Sequence, residues 1–476
     1  MNIKTLSYII VVLAFVCSCS VDDSYTTSAS NVLTFSTDTI RMDTLFSNMP
    51  SAAKSFWAYN HSGDGLRCRR VRLENGANSG FRVNIDGIFL GEDIDFQTDE
   101  IEVRDGDSVR VFVEATLPMT NALEPQERED NLVFILESGV EQKVNLNAWA
   151  WDATVLRDVR IRKDSTIRSD GKPIVVYGGL CVDSAATLTV ASGTTLYFDA
   201  NAGVDVYGRL LTFGTAQSNV VFRGNRIDRM FNYLPYDRVP AQWAGIRFHE
   251  SSYGNELNFT DIHSANTGID IDSSDVSLLK LTISHSSVHN CQGYGLRSVN
   301  SQVSMLNCQI TNALYDCVLI EGGDVYANNC TFAQFYPFDA RRGAAFAFSD
   351  LKPLARLTVL NSLVTGYADD VLTGTITDTV TTKNYLFGHC VMRTPKIVSA
   401  DSVRFVGTIF EDIKDTLTVG EKHFRKIDTD NLIYDFRLDS VSFAIGKAEP
   451  RSALADDILG VRRDDKPDVG AYEYRQ

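Results

Sequence analysis

The chain has 476 residues, of which 44% are hydrophobic, and this is enough for two or three domains with real hydrophobic cores. Its 61 acidic and 45 basic residues give a net charge of −16. This acidic balance argues against nucleic acid or an anionic lipid surface as a partner of the whole chain.

The N-terminus has the pattern of an export signal. Lys4 precedes an apolar run over residues 6–16, which is too short to span a bilayer. The run ends in Val16-Cys17-Ser18-Cys19, which resembles a bacterial lipobox, with a small residue before the cysteine that receives the lipid. We therefore expect a lipoprotein signal peptide over residues 1–19 and lipidation of Cys19 rather than Cys17. An ordinary secretory peptide with a chance cysteine is the alternative.

A polar segment over residues 20–31 follows the predicted anchor and lacks periodicity, so we expect a flexible tether. Its start, Ser20-Val21-Asp22-Asp23, resembles the surface-export signal of Bacteroidetes-type lipoproteins. The resemblance implies an outer-membrane lipoprotein that is held by its acyl chains and faces the outside of the cell. A plain solvated linker would look similar, and the protein would then face the periplasm.

Residues 32–150 consist of short runs in which apolar and polar residues alternate, as in residues 81–85, 109–113 and 144–148. A period of two predicts strands that are buried on one side. About 120 residues of such strands are typical of an immunoglobulin-like β-sandwich. Helical periodicity is almost absent, so we expect this domain to be all-β.

Residues 151–448 contain a repeat with an offset of 22 residues. This offset suits one turn of a parallel β-helix, in which three short strands and three bends raise the chain by about 4.8 Å. A less regular coil comes first, where Ile262 matches Val288 and Ile269 matches Leu296 at offsets of 26 and 27. The pairs at an offset of 22 include Val288 with Ile310, Val303 with Val325, Asn307 with Asn329, Cys308 with Cys330, and Ile310 with Phe332.

Several segments resemble known β-helix proteins. Residues 188–198, 204–210, 213–215 and 220–222 look like the opening coils of pectin-lyase-like proteins. The run Trp243-Ala244-Gly245-Ile246 is similar to their Trp-Gly-Gly-Ile strand, with Ala244 where glycine is usual. Residues 457–463 and 467–474 are similar to the closing signature of β-helix lipoproteins from Bacteroidetes-type bacteria.

The resemblance covers about residues 156–474 and implies a fold, but it implies no activity. We predict an all-β protein with an N-terminal immunoglobulin-like β-sandwich followed by a right-handed single-stranded parallel β-helix. Residues 449–476 should form a C-terminal closing segment. The chain as a whole resembles a Bacteroidetes-type surface lipoprotein with a pectin-lyase-like β-helix domain.

The first candidate for a catalytic site is a set of outward charges. β-Helix polysaccharide lyases need a Lys or Arg base, and either Ca²⁺ on aspartates or another cation to neutralise the uronate carboxylate. Asp270 and Asp272 should point outward from one coil, and Arg297 should stack beside Asp270 on the next. We expect Ca²⁺ as a cofactor only if this is a lyase site. A solvated face with paired charges would look the same.

The second candidate is an adjacent pair of aspartates. Hydrolases on this fold resemble one another in three aspartates, a histidine and an Arg-x-Lys motif. Asp369 and Asp370 stand together in the later coils, but no Arg-x-Lys partner follows at a suitable distance. A carboxylate pair without partners cannot activate water and protonate a leaving oxygen. We therefore favour aspartates that form turns.

Two histidines, His263 and His289, should stack on one outer face, with His285 close in sequence. Two imidazoles on adjacent strands could share a metal, but we identify no cysteine or carboxylate at ligand spacing around them. We therefore predict a solvated polar ladder and no metal site.

Seven cysteines follow Cys19, and this odd number leaves at least one unpaired. Their spacing lacks the dense framework of a disulfide scaffold, so we interpret most as small buried apolar residues. Cys308 and Cys330 should be neighbours one coil apart. A disulfide between them stays open in principle, although an inward stack of thiols is the more ordinary arrangement.

Two excursions interrupt the coils, at residues 226–241 and 335–342, and both are rich in aromatic residues and arginine. Sugars are held by flat aromatic faces and by fork-like arginine hydrogen bonds. The same rings would also serve to fill the gap between a loop and the wall behind it. The candidates for ligand binding in and beside the excursions are Arg226, Tyr233, Tyr236, Trp243, Tyr336 and Arg341.

Two functions stay open at this point. We favour a non-catalytic, lipid-anchored cell-surface protein for glycan binding, adhesion or envelope scaffolding, which needs no cofactor. Its partners would be the membrane, through the lipid anchor, and a polysaccharide or another envelope protein. The alternative is a polysaccharide lyase or glycoside hydrolase that acts on acidic polysaccharide, and it depends on the frequency of those activities on this fold.

Overall fold

The computed structural model describes residues 24–377 and 384–475. The predicted signal peptide, Cys19 and the first tether residues lie outside the described residues. The chain divides into two compact units, Met1–Asp152 and Ala153–Gln476, and the fold is all-β. None of the helices in the described ranges has the length and apolar character needed to cross a membrane. The short 3-10 helices are Gly76–Asn78, Glu92–Ile94, Tyr236–Arg238, Ala400–Arg404 and Gly420–His423.

The first unit is a β-sandwich of two sheets over one apolar core. Phe81, Val83 and Ile85 are buried while Arg82 and Asn84 between them are partly exposed, as alternation predicts. The pairs are antiparallel except for Thr39–Phe46 with Glu141–Trp151, which is parallel. One sheet has the order Leu33–Phe35, Lys54–Asn60, Ser108–Ala115, Phe81–Ile85, Ile88–Leu90, and the other has Thr39–Phe46, Glu141–Trp151, Gln126–Leu136, Leu66–Leu73, Gln97–Thr98, with Ile101–Val103 also on Leu66–Leu73.

The second unit is dominated by a parallel β-helix, in which strands pair in parallel with strands about one coil later. Its interior is a single long apolar cluster. The strands are Thr154–Ile161, Ser165–Ile167, Ile174–Val182, Thr187–Ala191, Thr195–Phe198, Val204–Val206, Arg209–Phe213, Val220–Gly224, Ile246–Phe248, Asn255–Asn258, Thr260–His263, Ile269–Ile271, Leu279–Ser284, Ser287–Cys291, Leu296–Val299, Gln302–Leu306, Gln309–Ala313, Val318–Asn328, Thr331–Gln334, Phe346–Leu360, Leu363–Gly366, Leu372–Thr375, Tyr385–Gly388, Val391–Met392, Phe405–Val406 and Ile409–Phe410.

The register of these strands confirms the repeat. Ile310 pairs with Phe332, and Val303 pairs with Val325, both at the offset of 22 residues. The less regular coil before them is confirmed as well, because Ile262 pairs with Val288 and Ile269 with Leu296. Side chains at matching positions therefore stack, and the inward ones fill the common interior.

One bend of the coil is lined by residues with a positive φ. Asn307, Asn329 and Asn361 occupy it on successive coils, with φ of 51°, 50° and 47°. Asparagine adopts this left-handed conformation more readily than most residues because its short amide side chain bonds locally. The bend thus presents a ladder of amides along the side of the β-helix.

The C-terminal segment runs back along this ladder. After the last parallel strand, Ile409–Phe410, the chain forms an antiparallel hairpin of Phe424–Asp428 and Ile433–Leu438, within the region that the sequence assigned to the β-helix. Beyond the hairpin, Leu454 donates its N–H to the side chain of Asn329 over 2.9 Å, and the N–H of Gly470 reaches the carbonyl of Asn361 over 2.8 Å. The tail therefore braces the wall of the β-helix.

Candidate functional site

Two stacked histidines mark one outer wall of the β-helix. His263 ends the strand Thr260–His263, and it pairs in register with His289 in the strand Ser287–Cys291. The two rings lie 5.0 Å apart at an angle of 15°. The predicted stack of imidazoles is thus confirmed.

Asp261 joins the two histidines, so the expectation that no carboxylate lies at ligand spacing is wrong. Its Oδ1 accepts a hydrogen bond from His263 Nδ1 over 2.5 Å and lies 3.5 Å from His289 Nε2. Ser287 donates to the other oxygen, Oδ2, over 2.9 Å. Residues two apart on a strand share a face, so the run Asp261-Ile262-His263 carried this signal.

Asp237 reaches the same cluster from the first excursion, where it sits in the 3-10 turn Tyr236–Arg238. It accepts from His263 Nε2 over 2.8 Å, and Arg223 Nη1 lies 2.8 Å from the same oxygen. No sequence offset predicts this contact, because the excursion leaves the register of the coils.

The charges of the cluster reinforce one another. Burial alone would lower the pKa of His263, but Asp261 and Asp237 outweigh it and raise this pKa to about 9. Burial alone would raise the pKa of Asp237, but His263 and Arg223 lower it to about 2, and the histidines hold the pKa of Asp261 well below its usual range. At neutral pH the cluster is an imidazolium between two carboxylates.

The cluster borders a cleft of about 530 Å³. The strand Ile433–Leu438 of the C-terminal hairpin forms the opposite side, and it places Asp435 and Arg437 there as an ion pair 2.5 Å apart. Tyr472 of the tail donates its hydroxyl to Gln309 over 2.7 Å at the edge of the cleft. The lining is therefore largely polar, with the partly exposed rings of Tyr434 and Tyr472, while Phe436 is 4% exposed and belongs to the apolar cluster behind the strand.

Comparison with known families decides the hand of the coils. Residues 156–332 and 213–390 match the family described as right handed beta helix region. This part of the chain is a right-handed β-helix. Among curated proteins, none matches the chain.

Two of the solved structures that match are each similar to about a quarter of this chain. One is a protein of unknown function from Porphyromonas gingivalis W83, with 11% identity, 28% of this chain and 50% of that chain covered, and a TM-score of 0.19. The other is a family 123 glycoside hydrolase from Clostridium perfringens that acts on glycolipid glycans, with 7% identity, 27% and 26% covered, and a TM-score of 0.18. The chain thus spans half the length of the first and 26% of the second.

The ligand-binding candidates of the first excursion lie beside the cleft and not in its lining. The guanidinium of Arg226 lies 3.8 Å from the ring centroid of Tyr236, and Tyr233 is exposed and stacks on Phe231. Trp243 is a correction, because it is 1% exposed and stacks on Phe198 at 4.6 Å inside the right-handed β-helix. It is a core residue and is not available to a ligand.

The candidates of the second excursion are not brought together. Tyr336 is buried, with its hydroxyl bonded to Gln292 over 3.2 Å, and it lines a separate cavity of about 300 Å³. Arg341 extends into solvent with a side chain that is 92% exposed and only loosely paired with Asp339.

The candidates for a lyase site form a ladder of paired charges on another wall of the right-handed β-helix. Arg297 bonds Asp270 over 3.2 Å and Glu321 over 2.9 Å, while Arg247 bonds Asp272 over 3.0 Å. Burial would lower the pKa of Arg297, but the two carboxylates outweigh it and raise this pKa. A guanidinium held in its charged form in this way is unsuited to act as a base.

Asp369 and Asp370 are both engaged at the surface. Arg393 Nη2 lies 3.3 Å from Asp369, and Asp370 accepts the N–H of Leu372 over 3.2 Å, which is the bond of an aspartate in a turn. The seven described cysteines are free thiols, and Cys308 and Cys330 are both fully buried, as an inward stack requires.

Proposed function

We propose that this is an exported, lipid-anchored protein that binds a glycan in the cleft without changing it chemically. The observation that carries the proposal is the cleft itself, whose lining combines charged pairs, amides and the partly exposed rings of Tyr434 and Tyr472. Carbohydrate ligands need such a mixture, because their hydroxyl groups hydrogen-bond to forked side chains and their C–H faces pack on rings. The volume of about 530 Å³ suits a short stretch of sugar units.

The protonation states of the cleft favour binding over hydrolysis. A glycoside hydrolase needs a carboxylic acid whose pKa is raised, so that it can protonate the leaving oxygen. Asp237, Asp261 and Asp435 line the cleft, and the pKa of each is lowered by its cationic partners, against the effect of burial. These carboxylates therefore serve as hydrogen-bond acceptors and not as acids.

A glycan panel that includes uronate polysaccharides tests the proposal by calorimetry with the purified protein. We expect binding to at least one member, and we expect Arg437→Gln to weaken it about tenfold or more, equivalent to 1.4 kcal/mol. Arg247→Gln is the matched control, because its side chain is 52% exposed and paired with an aspartate, against 50% for Arg437.

Equal binding by these two variants, or no binding to any glycan, would contradict the proposal. Unsaturated or reducing products that accumulate during incubation would instead support a lyase or a hydrolase.

The proposed anchor is tested separately in cells. The lipobox-like run ending in Cys19 supports it, and the following aspartates support display on the outer membrane. Feeding cells an alkyne-tagged fatty acid should label the wild-type protein and Cys17→Ala but not Cys19→Ala. Protease added to whole cells should then digest the labelled protein if it faces outward.

A further inference from the structure

We propose that Asp261, His263 and His289 bind a divalent transition-metal ion of the zinc type at the edge of the cleft. This site does not depend on what the cleft binds, because the ion alone is the ligand. It differs from the polar ladder that the sequence predicted, since the carboxylate that completes it was not foreseen.

The three ligand atoms converge on one point. One ligand atom from each residue lies within 4.8 Å of the other two. In a tetrahedral zinc site the ligand atoms bond at about 2.0–2.2 Å and so lie roughly 3.3 Å apart. The 3.5 Å between Asp261 Oδ1 and His289 Nε2 already fits. The 2.5 Å between Asp261 Oδ1 and His263 Nδ1 would widen as the ion takes the place of the Nδ1 proton, which leaves to solvent.

A second layer of partners holds these ligands in place. Asp237 accepts from His263 Nε2, so that Nδ1 faces Asp261, and Arg223 holds Asp237 in turn. Ser287 donates to Asp261 Oδ2 and leaves Oδ1 for the ion. A carboxylate behind a ligating histidine is the usual device that fixes its tautomer and orientation in metal sites.

Paired strands hold the backbone of the site, and one coordination position faces outward. Both histidines lie on paired strands of the β-helix, and the indole N–H of Trp243 bonds the carbonyl of His263 over 2.8 Å. Asp261 and His289 line the cleft, so the fourth position of the ion is open to water or to a ligand oxygen.

The ligand types select the kind of ion. Two imidazoles with one carboxylate suit zinc and its transition-metal neighbours, whereas Ca²⁺ and Mg²⁺ prefer oxygen ligands throughout. Ca²⁺ should therefore fail to displace zinc from this site.

Calorimetric titration of tag-free, metal-stripped protein with Zn²⁺ tests the proposal. We expect one ion per chain, unaffected by millimolar Ca²⁺, and a loss of affinity of tenfold or more in His289→Gln and in Asp261→Asn. Asp237→Asn should lose about 10- to 100-fold through the second layer. His285→Gln is the matched control, since His285 stacks on Phe259 outside the cluster and should leave binding unchanged.

Absence of stoichiometric binding, or full affinity in both ligand variants, would overturn the proposal. X-ray absorption of the zinc-loaded wild-type protein keeps the test decisive if a variant fails to fold. Two imidazoles and one carboxylate in the coordination shell would support the site, and any shell without both imidazoles would refute it.

Discussion

Two walls of the β-helix carry side chains in the same register, yet they differ in what they can do. On one wall Asp205, Arg247, Asp270 and Arg297 occupy successive register positions with alternating charge. Each cation there is neutralised by neighbouring carboxylates on an open surface. On the other wall His263 and His289 stack in the same way, but the first excursion and the C-terminal hairpin border them. The repeat supplies both ladders, and segments that leave the repeat turn only one of them into a cleft.

Both walls pack on the same apolar interior. The largest effect on the free energy of unfolding should therefore follow from removing a core side chain behind the cleft. Trp243→Ala removes a ring packed on Phe198 and Phe222 and an N–H bonded to His263. We expect the free energy of unfolding to fall by about 3–5 kcal/mol, measured by denaturant titration. The histidines should also lose affinity for zinc, because the strand that carries them loses its support.

Phe231→Ala is the control for that loss, because Phe231 lies in the excursion just before Trp243 but is 55% exposed. Its effect should stay within about 0.5 kcal/mol. Equal effects of the two substitutions would contradict the assignment of Trp243 to the core.

The contrast between the walls also shows what the sequence could predict. The offset of 22 residues and the alternation of apolar residues predict the coils, the sandwich and both ladders, because each depends on contacts that a period fixes. Asp237 was missed, since it reaches His263 from an excursion without a register. The contact of Asp261 could have been predicted from the sequence, because it lies two residues from His263 on the same strand. Trp243 was a candidate both for a ligand surface and for filling the gap behind the loop, because composition alone does not tell which side of the wall a ring faces.

The next largest effect on the free energy of unfolding should follow from removing the contacts between the β-helix and the tail that runs along it. Asn361 is buried with φ of 47°, and its side chain accepts the N–H of Glu449 over 2.8 Å and donates to Ser452 over 3.1 Å. Asn361→Ala leaves the partly buried N–H of Glu449 without its acceptor and places alanine in a left-handed conformation. Together these should cost about 2–4 kcal/mol in the free energy of unfolding.

Asn300→Ala separates the effect of the lost hydrogen bonds from the effect of alanine in a left-handed conformation. Asn300 also has a positive φ, of 39°, but its side chain bonds only Ser273 among the described residues, over 3.2 Å. Only Asn361→Ala should therefore speed hydrogen exchange at the amides of Leu454 and Gly470. Equal exchange in the two variants would show that the tail is held by other contacts.

The smallest effect on the free energy of unfolding is expected for a substitution on the wall of paired charges. Arg297→Gln breaks ion pairs with Asp270 and Glu321, but its side chain is 31% exposed, so water replaces much of what is lost. We expect at most about 1 kcal/mol in the free energy of unfolding, and less as salt is raised from 0.01 M to 0.5 M, because salt screens such pairs. Zinc and glycan binding should be unchanged, since Arg297 does not line the cleft. A loss of either binding in this variant would mean that the two walls are coupled, and the separation between a solvated ladder and a functional cleft would then fail.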